Sequence, residues 1–146
     1  MDLLDVNVWL ALCDENHQHH EAARHYWETG GAEELLFCRV TVLGLLRLAT
    51  NSKAMAGQPF SVEEAWEAYQ SFLALPEVRF LPDTGIEDGQ MESWVQQGIV
   101  TPPLWTDAYL AALAMEAGCR LVSFDSDFKR FPGLRFLHLK GERPPI

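Results

Sequence analysis

A chain of 146 residues, 48% apolar and 22% charged, has the size and composition of one globular domain, with enough aromatic material to fill a core. Eleven basic against twenty-one acidic residues give a net charge of −10, which argues against a protein that holds polyanions through a broadly basic surface. Three widely spaced cysteines, Cys13, Cys38 and Cys119, do not make a disulfide frame and read as reduced core thiols of a cytoplasmic protein. The amino terminus has no basic segment, and no apolar run is long enough for a signal peptide or a membrane span.

The first element is a very short strand at Leu3-Leu4, with Asp5 at its carboxyl end and a helix over Val8 to Leu12. Asp14 to His17 is a loop, and His20 to Glu28 a second helix with Ala22, Ala23, Tyr26 and Trp27 on its apolar side. His17 and His20 stand three apart and could chelate an ion, but no third ligand lies beside them, and a solvated loop is the better reading. Gly30-Gly31 is a turn, Glu34 to Cys38 a strand, and Arg39 to Thr50 a very apolar helix. Arg47 is the charge in the middle of that helix; it reads equally as a phosphate contact, a partner for a carboxylate, or a surface arginine.

After the loop at Asn51 to Phe60, Ser61-Val62-Glu63-Glu64 is a capping box. The helix it opens puts Val62, Ala65, Trp66, Tyr69, Phe72 and Leu73 on one stripe, expected to be core, and its acids on the solvated side. Val78 to Leu81 is a strand, Pro82 to Gly85 a turn, and Ile86 to Gln97 a polar helix, with Asp83, Glu87 and Asp88 as caps. Gly98 to Leu104 leads to Thr106, the expected N-cap of the next helix, which puts Asp107 in its first turn. That helix is apolar almost all round and ends at Gly118. Arg120 to Phe124 is a short buried strand that runs into Asp125-Ser126-Asp127, and Leu134 to Leu139 is the last strand. Residues 1–139 form a single domain and 140–146 a polar tail.

Strands alternate with helices throughout, which predicts a three-layer α/β/α sandwich around a mostly parallel sheet. Open sheets of this class carry their sites at the carboxyl ends of the strands, and Asp5, Asp107 and Asp125 would all reach that rim. Carboxylates brought together repel one another, and a cation relieves the repulsion. Oxygen ligands without a thiol or imidazole favour Mg²⁺ or Mn²⁺ over Zn²⁺. Asn7 and Thr106 are placed to orient Asp5 and Asp107.

The pattern Leu-Leu-Asp-Val-Asn around Asp5, Thr-Asp-Ala-Tyr-Leu-Ala at 106–111 and Phe-Asp-Ser-Asp-Phe at 124–128 resembles the PIN-domain ribonucleases, and within them the VapC-type toxins of bacterial toxin–antitoxin pairs. The resemblance runs from Leu3 to about Leu139, with the motifs in family order. It implies a PIN-like fold and hydrolysis of RNA phosphodiester bonds assisted by Mg²⁺ or Mn²⁺. Asp5, Asp107 and Asp125 would be metal ligands, with Asp127 as a further catalytic acid. It also implies a homodimer and a cognate antitoxin protein.

The family commonly carries a Glu one or three residues after the threonine that matches Thr41; those positions are Val42 and Gly44, and Asp127 is read as making up the shortfall. The missing acid leaves open a degenerate PIN domain that only binds a partner protein. Two other acid-cluster folds fit less well. A phosphatase of the haloacid-dehalogenase type needs an acid at position 7, where Asn7 stands. A receiver domain needs a late lysine directly after a strand, which neither Lys129 nor Lys140 supplies.

Overall fold

The computed structural model describes residues 1–141; of the expected tail, residues 142–146 lie outside the described residues. Five strands form one sheet: β1 (Asp2–Leu4), β2 (Leu35–Phe37), β3 (Val78–Phe80), β4 (Arg120–Ser123) and β5 (Phe136–His138). Their order is β3-β2-β1-β4-β5 and every pairing is parallel. The chain winds outward from β1 through β2 to β3, then returns to place β4 on the other side of β1. The topological switch point therefore lies between β1 and β4, where α/β sheets open a crevice at their carboxyl ends.

Parallel strands are covered on both faces, so their residues are apolar on both sides. Leu4, Leu35, Phe37 and Val122 point into one core layer with Val8, Trp9, Val42 and Tyr69. That layer is roofed by α1 (Val6–Cys13), α2 (His20–His25), α3 (Arg39–Ala49) and α4 (Val62–Leu73). Leu3, Leu36 and Leu121 point the other way, into a layer with Trp94, Leu110, Leu113 and Phe128. It is covered by α5 (Glu87–Gln96) and α6 (Trp105–Ala117). The fold is thus the expected three-layer sandwich.

Local signals explain most boundaries. Ser61 and Glu64 form the capping box of α4, each side chain taking the other's backbone N–H at 3.0 and 2.9 Å. Gly118 ends α6 at φ +70°, a left-handed conformation that glycine adopts without steric cost. Two expectations need correction. Thr106 is not the N-cap of α6: a 3₁₀ turn at Pro102–Leu104 starts the winding early, so α6 begins at Trp105 with Leu104 before it and Thr106 lies exposed inside the first turn. The stripe on α4 is only partly core. Ala65 and Tyr69 are buried, whereas Val62 is 73% and Trp66 51% exposed. These two face a groove of about 470 Å³ that α4 shares with Leu43, Leu46 and Arg47 of α3 and with Thr50 just past its end.

Candidate metal centre at the carboxyl rim

Asp5 follows β1 directly. It caps α1, its Oδ1 accepting the N–H of Val6 at 2.7 Å, and its Oδ2 accepts the hydroxyl of Ser123 at 2.6 Å. Ser123 is the last residue of β4 and has no solvent exposure. Its Oγ also accepts the side-chain amide of Asn7 at 3.1 Å and the backbone N–H of Asp125 at 2.9 Å. One buried hydroxyl thus ties together Asp5, Asn7 and Asp125 across the switch point. Asn7 reaches Asp5 only through that hydroxyl; its Oδ1 takes the N–H of Phe124 at 3.3 Å.

Asp125 turns the chain out of β4. Its Oδ1 accepts the N–H of Asp127 at 2.8 Å and starts the 3₁₀ turn Ser126–Arg130. The same side chain is therefore an Asx turn and a rim carboxylate. Asp107 projects from the first turn of α6 toward these two. Carboxylate oxygens of Asp107, Asp125 and Asp127 lie within 4.8 Å of one another.

The electrostatics agree with the geometry. Burial, then repulsion from Asp5, Asp125 and Asp127, pushes the Asp107 carboxyl up to about 6, with Arg130 acting in the opposite sense. Asp5 is also raised, chiefly by burial and also by Asp125, against the lowering effect of its hydrogen bonds to Ser123 and Val6. Asp5 therefore belongs to the same field although it stands outside the tightest trio. A hard divalent cation held by these carboxylate oxygens would relieve the repulsion.

Other candidates lie elsewhere. Arg47 is exposed on the α3–α4 groove, and the cation that Asp107 feels is Arg130, which also lies 3.9 Å from Asp127. His17 and His20 do not chelate together: His17 Nδ1 accepts the His19 N–H, and His20 Nδ1 lies 2.7 Å from the Ala11 carbonyl. Asp83 and Glu87 both accept the N–H of Gly85 in the turn before α5, but neither caps that helix: Ile86 is its N-cap and Glu87 its buried first residue. Helix α3 brings no acid to the rim. Val42 is buried in the core, and a Cβ on Gly44 would meet Val6 Cγ2 at 2.6 Å. Sequence reasoning missed Ser123. Its signal was a small hydroxyl ending an apolar strand beside an acid.

A three-layer fold with an acid cluster at its switch point defines a class of α/β proteins whose rim is suited to a divalent ion. Comparison with known proteins narrows this. A family model described as PIN domain matches residues 3–134. The chain is 39% identical over 142 residues to Ribonuclease VapC41 of Mycobacterium tuberculosis, covering 92% of this chain and 95% of that protein. It is 32% identical to Ribonuclease VapC37 of the same organism, over 99% and 98%. Among solved structures it is similar to M. tuberculosis VapC20, a Sarcin-Ricin loop cleaving toxin, with TM-score 0.65 at 18% identity, covering 88% of this chain and 93% of that one. It is also similar to VapBC2 of Rickettsia felis bound to a DNA fragment from their promoter, with TM-score 0.66 at 13% identity over 95% and 98%. The chain belongs to the PIN-domain family, in its VapC branch.

Proposed function

We propose that this chain is a Mg²⁺- or Mn²⁺-dependent ribonuclease and the toxin of a toxin–antitoxin pair. The observation that carries the reading is the trio Asp107, Asp125 and Asp127, with oxygens within 4.8 Å at the switch point of a fold shared with proteins named ribonucleases. Asp5, Asp107 and Asp125 would hold the cation, and Asp127 adds a fourth carboxylate in place of the acid that α3 lacks. A bound cation supplies charge neutralisation at the scissile phosphate and makes water more acidic. The residues of the chain do the rest. Ser123 and the Val6 N–H hold Asp5 in one rotamer, and Asn7 fixes the Phe124 peptide that leads to Asp125. Arg130, 3.9 Å from Asp127, would meet a phosphate oxygen at this rim. In the hydrolysis, water oxygen adds to phosphorus, one ribose P–O bond breaks, and that ribose oxygen takes a proton.

Asp5→Asn and Asp107→Asn are expected to abolish Mn²⁺-dependent RNA cleavage while the variants still melt cooperatively. Cleavage at the parent rate by both would overturn the reading. One observation favours a second reading, a degenerate PIN domain that only binds a partner: Val42 and Gly44 stand where the family carries an acid. Isothermal titration separates the two, since a pure binding module takes up no Mn²⁺.

The antitoxin would lay an amphipathic helix in the groove between α3 and α4, where Leu43, Val62 and Trp66 are exposed. A homodimer is expected, and a monomeric mass at micromolar concentration by light scattering would count against it. No helix among the described residues is long and apolar enough to cross a membrane.

A further inference from the structure

A second cavity, of about 580 Å³, lies between the loop after α1 and the loop after α3. Its chemistry differs from that of the α3–α4 groove. The first loop contributes Asp14, Asn16, His17 and Gln18, and the second contributes Gln58 with the apolar side chains of Met55 and Phe60. Three primary amides, an imidazole and a carboxylate over an apolar floor offer both donors and acceptors. No Lys or Arg lines it, so a phosphate is not the group it fits. Its size is that of a small-molecule pocket.

The walls are set in advance. Met55 is buried and anchors the second loop, whose backbone closes on itself through Gly57 N–H to Ser52 at 2.8 Å and Gln58 N–H to Met55 at 3.0 Å. Ala56, on the cavity wall, is held at φ +52°, a left-handed conformation that costs a non-glycine residue energy and persists where its surroundings enforce it. In the first loop, His17 Nδ1 accepts the His19 N–H, so neutral His17 carries its proton on Nε2, which has no protein partner among the described residues. Burial, then the neighbouring His19, lowers the His17 imidazole below its ordinary value and favours that neutral form.

The cavity is joined to the acid cluster by two ring contacts. The His17 and His19 rings lie 5.6 Å apart between centroids, and His19 stacks on Phe124 at 4.6 Å, 16° from parallel. Phe124 immediately precedes Asp125. A strand of RNA lying across the carboxylates would bring a neighbouring nucleotide here. Single-stranded RNA is read by unstacked bases set against aromatic or apolar surfaces and hydrogen-bonded along their edges.

We propose that this cavity is a nucleobase subsite, which takes one unpaired base of the RNA beside the cleavage position and confers sequence preference through Asn16, Gln18, Gln58 and the His17 Nε2–H. It rests on the ribonuclease reading, and the test separates the two. All three amides are exposed, so alanine at any of them leaves the fold intact. In the first arm, a degenerate RNA pool is cut with Mn²⁺ by the parent, Gln18→Ala and Gln58→Ala, and the ends are sequenced. The expected result is a base preference at one position near the cut in the parent that flattens in the variants. KM for the preferred RNA should rise about tenfold with kcat within about twofold. Unchanged preference and KM in both variants overturn the subsite while leaving the ribonuclease standing.

In the second arm, the four nucleoside monophosphates and ribose 5-phosphate are titrated into the labelled parent chain without metal, and the side-chain amide signals of Asn16, Gln18 and Gln58 are followed. At least one nucleotide should shift them, and ribose 5-phosphate should not. No shift with any nucleotide, or equal shifts with ribose 5-phosphate, overturns the subsite. If the parent cuts no RNA, the ribonuclease reading fails and this second arm decides the subsite by itself.

Discussion

Strand β1 has an aspartate at each end, and the two have opposite surroundings. Asp2, at its start, is fully buried and its charge is met inside the protein. Arg120 donates to both of its oxygens, at 3.0 and 2.7 Å, and the Tyr26 hydroxyl donates at 2.5 Å. Asp5, one residue past its end, receives only neutral donors and faces Asp107 and Asp125. Three residues apart, one carboxylate closes a network and the other leaves charge in excess. The difference gives a rule for reading acids in this fold. A carboxylate balanced by its own chain belongs to the architecture, and a group of them left unbalanced at the switch point marks where a ligand must supply the opposite charge.

The largest expected effect lies at the balanced end. Arg120→Met would strand the Asp2 carboxylate in the interior, with only Tyr26 and the Ala32 N–H near it. Breaking a buried pair from one side costs about 3–5 kcal/mol, which urea denaturation would show as a large drop in midpoint. Mn²⁺ affinity of the folded variant should not move. If metal affinity fell as well, the two ends of β1 would not be independent.

Next comes Ser123→Ala, at the unbalanced end. The variant removes the donor to Asp5 and the acceptor for the Asp125 N–H together. Loss of such a supporting contact lowers metal affinity by about 10- to 100-fold. Titration with Mn²⁺ reads this directly. Affinity equal to that of the parent would show that Asp5 and Asp125 keep their places without the shared hydroxyl.

Much of the rim was legible before any coordinates. Asp5, Asp107 and Asp125 each sit where an apolar strand or helix begins or ends, and alternating elements dictate which end of the sheet those points share. What was not legible depends on partners distant in sequence. Ser123 looks like one more strand residue until β1 is laid beside β4. Thr106 looked like a cap because it precedes an apolar helix, but Pro102-Pro103 had already begun to wind the chain. Val62 and Trp66 share a period with buried Ala65 and Tyr69, and periodicity gives the direction of a side chain without saying what covers it. The apolar residues of α4 are legible in the sequence; which of them are buried is not.

The close approach of α3 to α1 provides a smaller test. Gly44 allows it, because a Cβ there would lie 2.6 Å from Cγ2 of Val6, the residue after Asp5. Gly44→Ala should cost about 1–2 kcal/mol: overpacking costs about 1–3 kcal/mol, and the better helix propensity of alanine returns up to about 1 kcal/mol. Val6→Ala should recover most of the loss, a coupling that a double-mutant cycle measures. Additive effects would mean that the helices part without strain. The same contact explains why an acid on α3 could not simply be restored at position 44.

The smallest effect is the dependence of stability on pH, and its sign follows from the burial of Asp107 and then from the excess charge around it. Asp107 has an ordinary carboxyl value near 3.8 when unfolded and about 6 when folded. Between about pH 4 and pH 6 the folded chain holds a proton that the unfolded chain has lost. Raising the pH through that window therefore weakens the folded state, the reverse of a carboxylate whose value is depressed by a salt bridge. Asp107 is half-buried, and solvent screening reduces the effect to about 1 kcal/mol. Asp107→Asn should accordingly gain about 1 kcal/mol on the metal-free parent between pH 4.5 and pH 7.5 in paired urea titrations. Taking the difference between parent and variant cancels the carboxylates that do not interact with Asp107, Asp2 among them. Saturating Mn²⁺ should abolish the variant's advantage at pH 7.5, because a bound cation offsets both the burial cost and the repulsion that raise Asp107. An identical pH slope in parent and variant would mean that the rim carboxylates do not feel one another, and the contrast between the two ends of β1 would be lost.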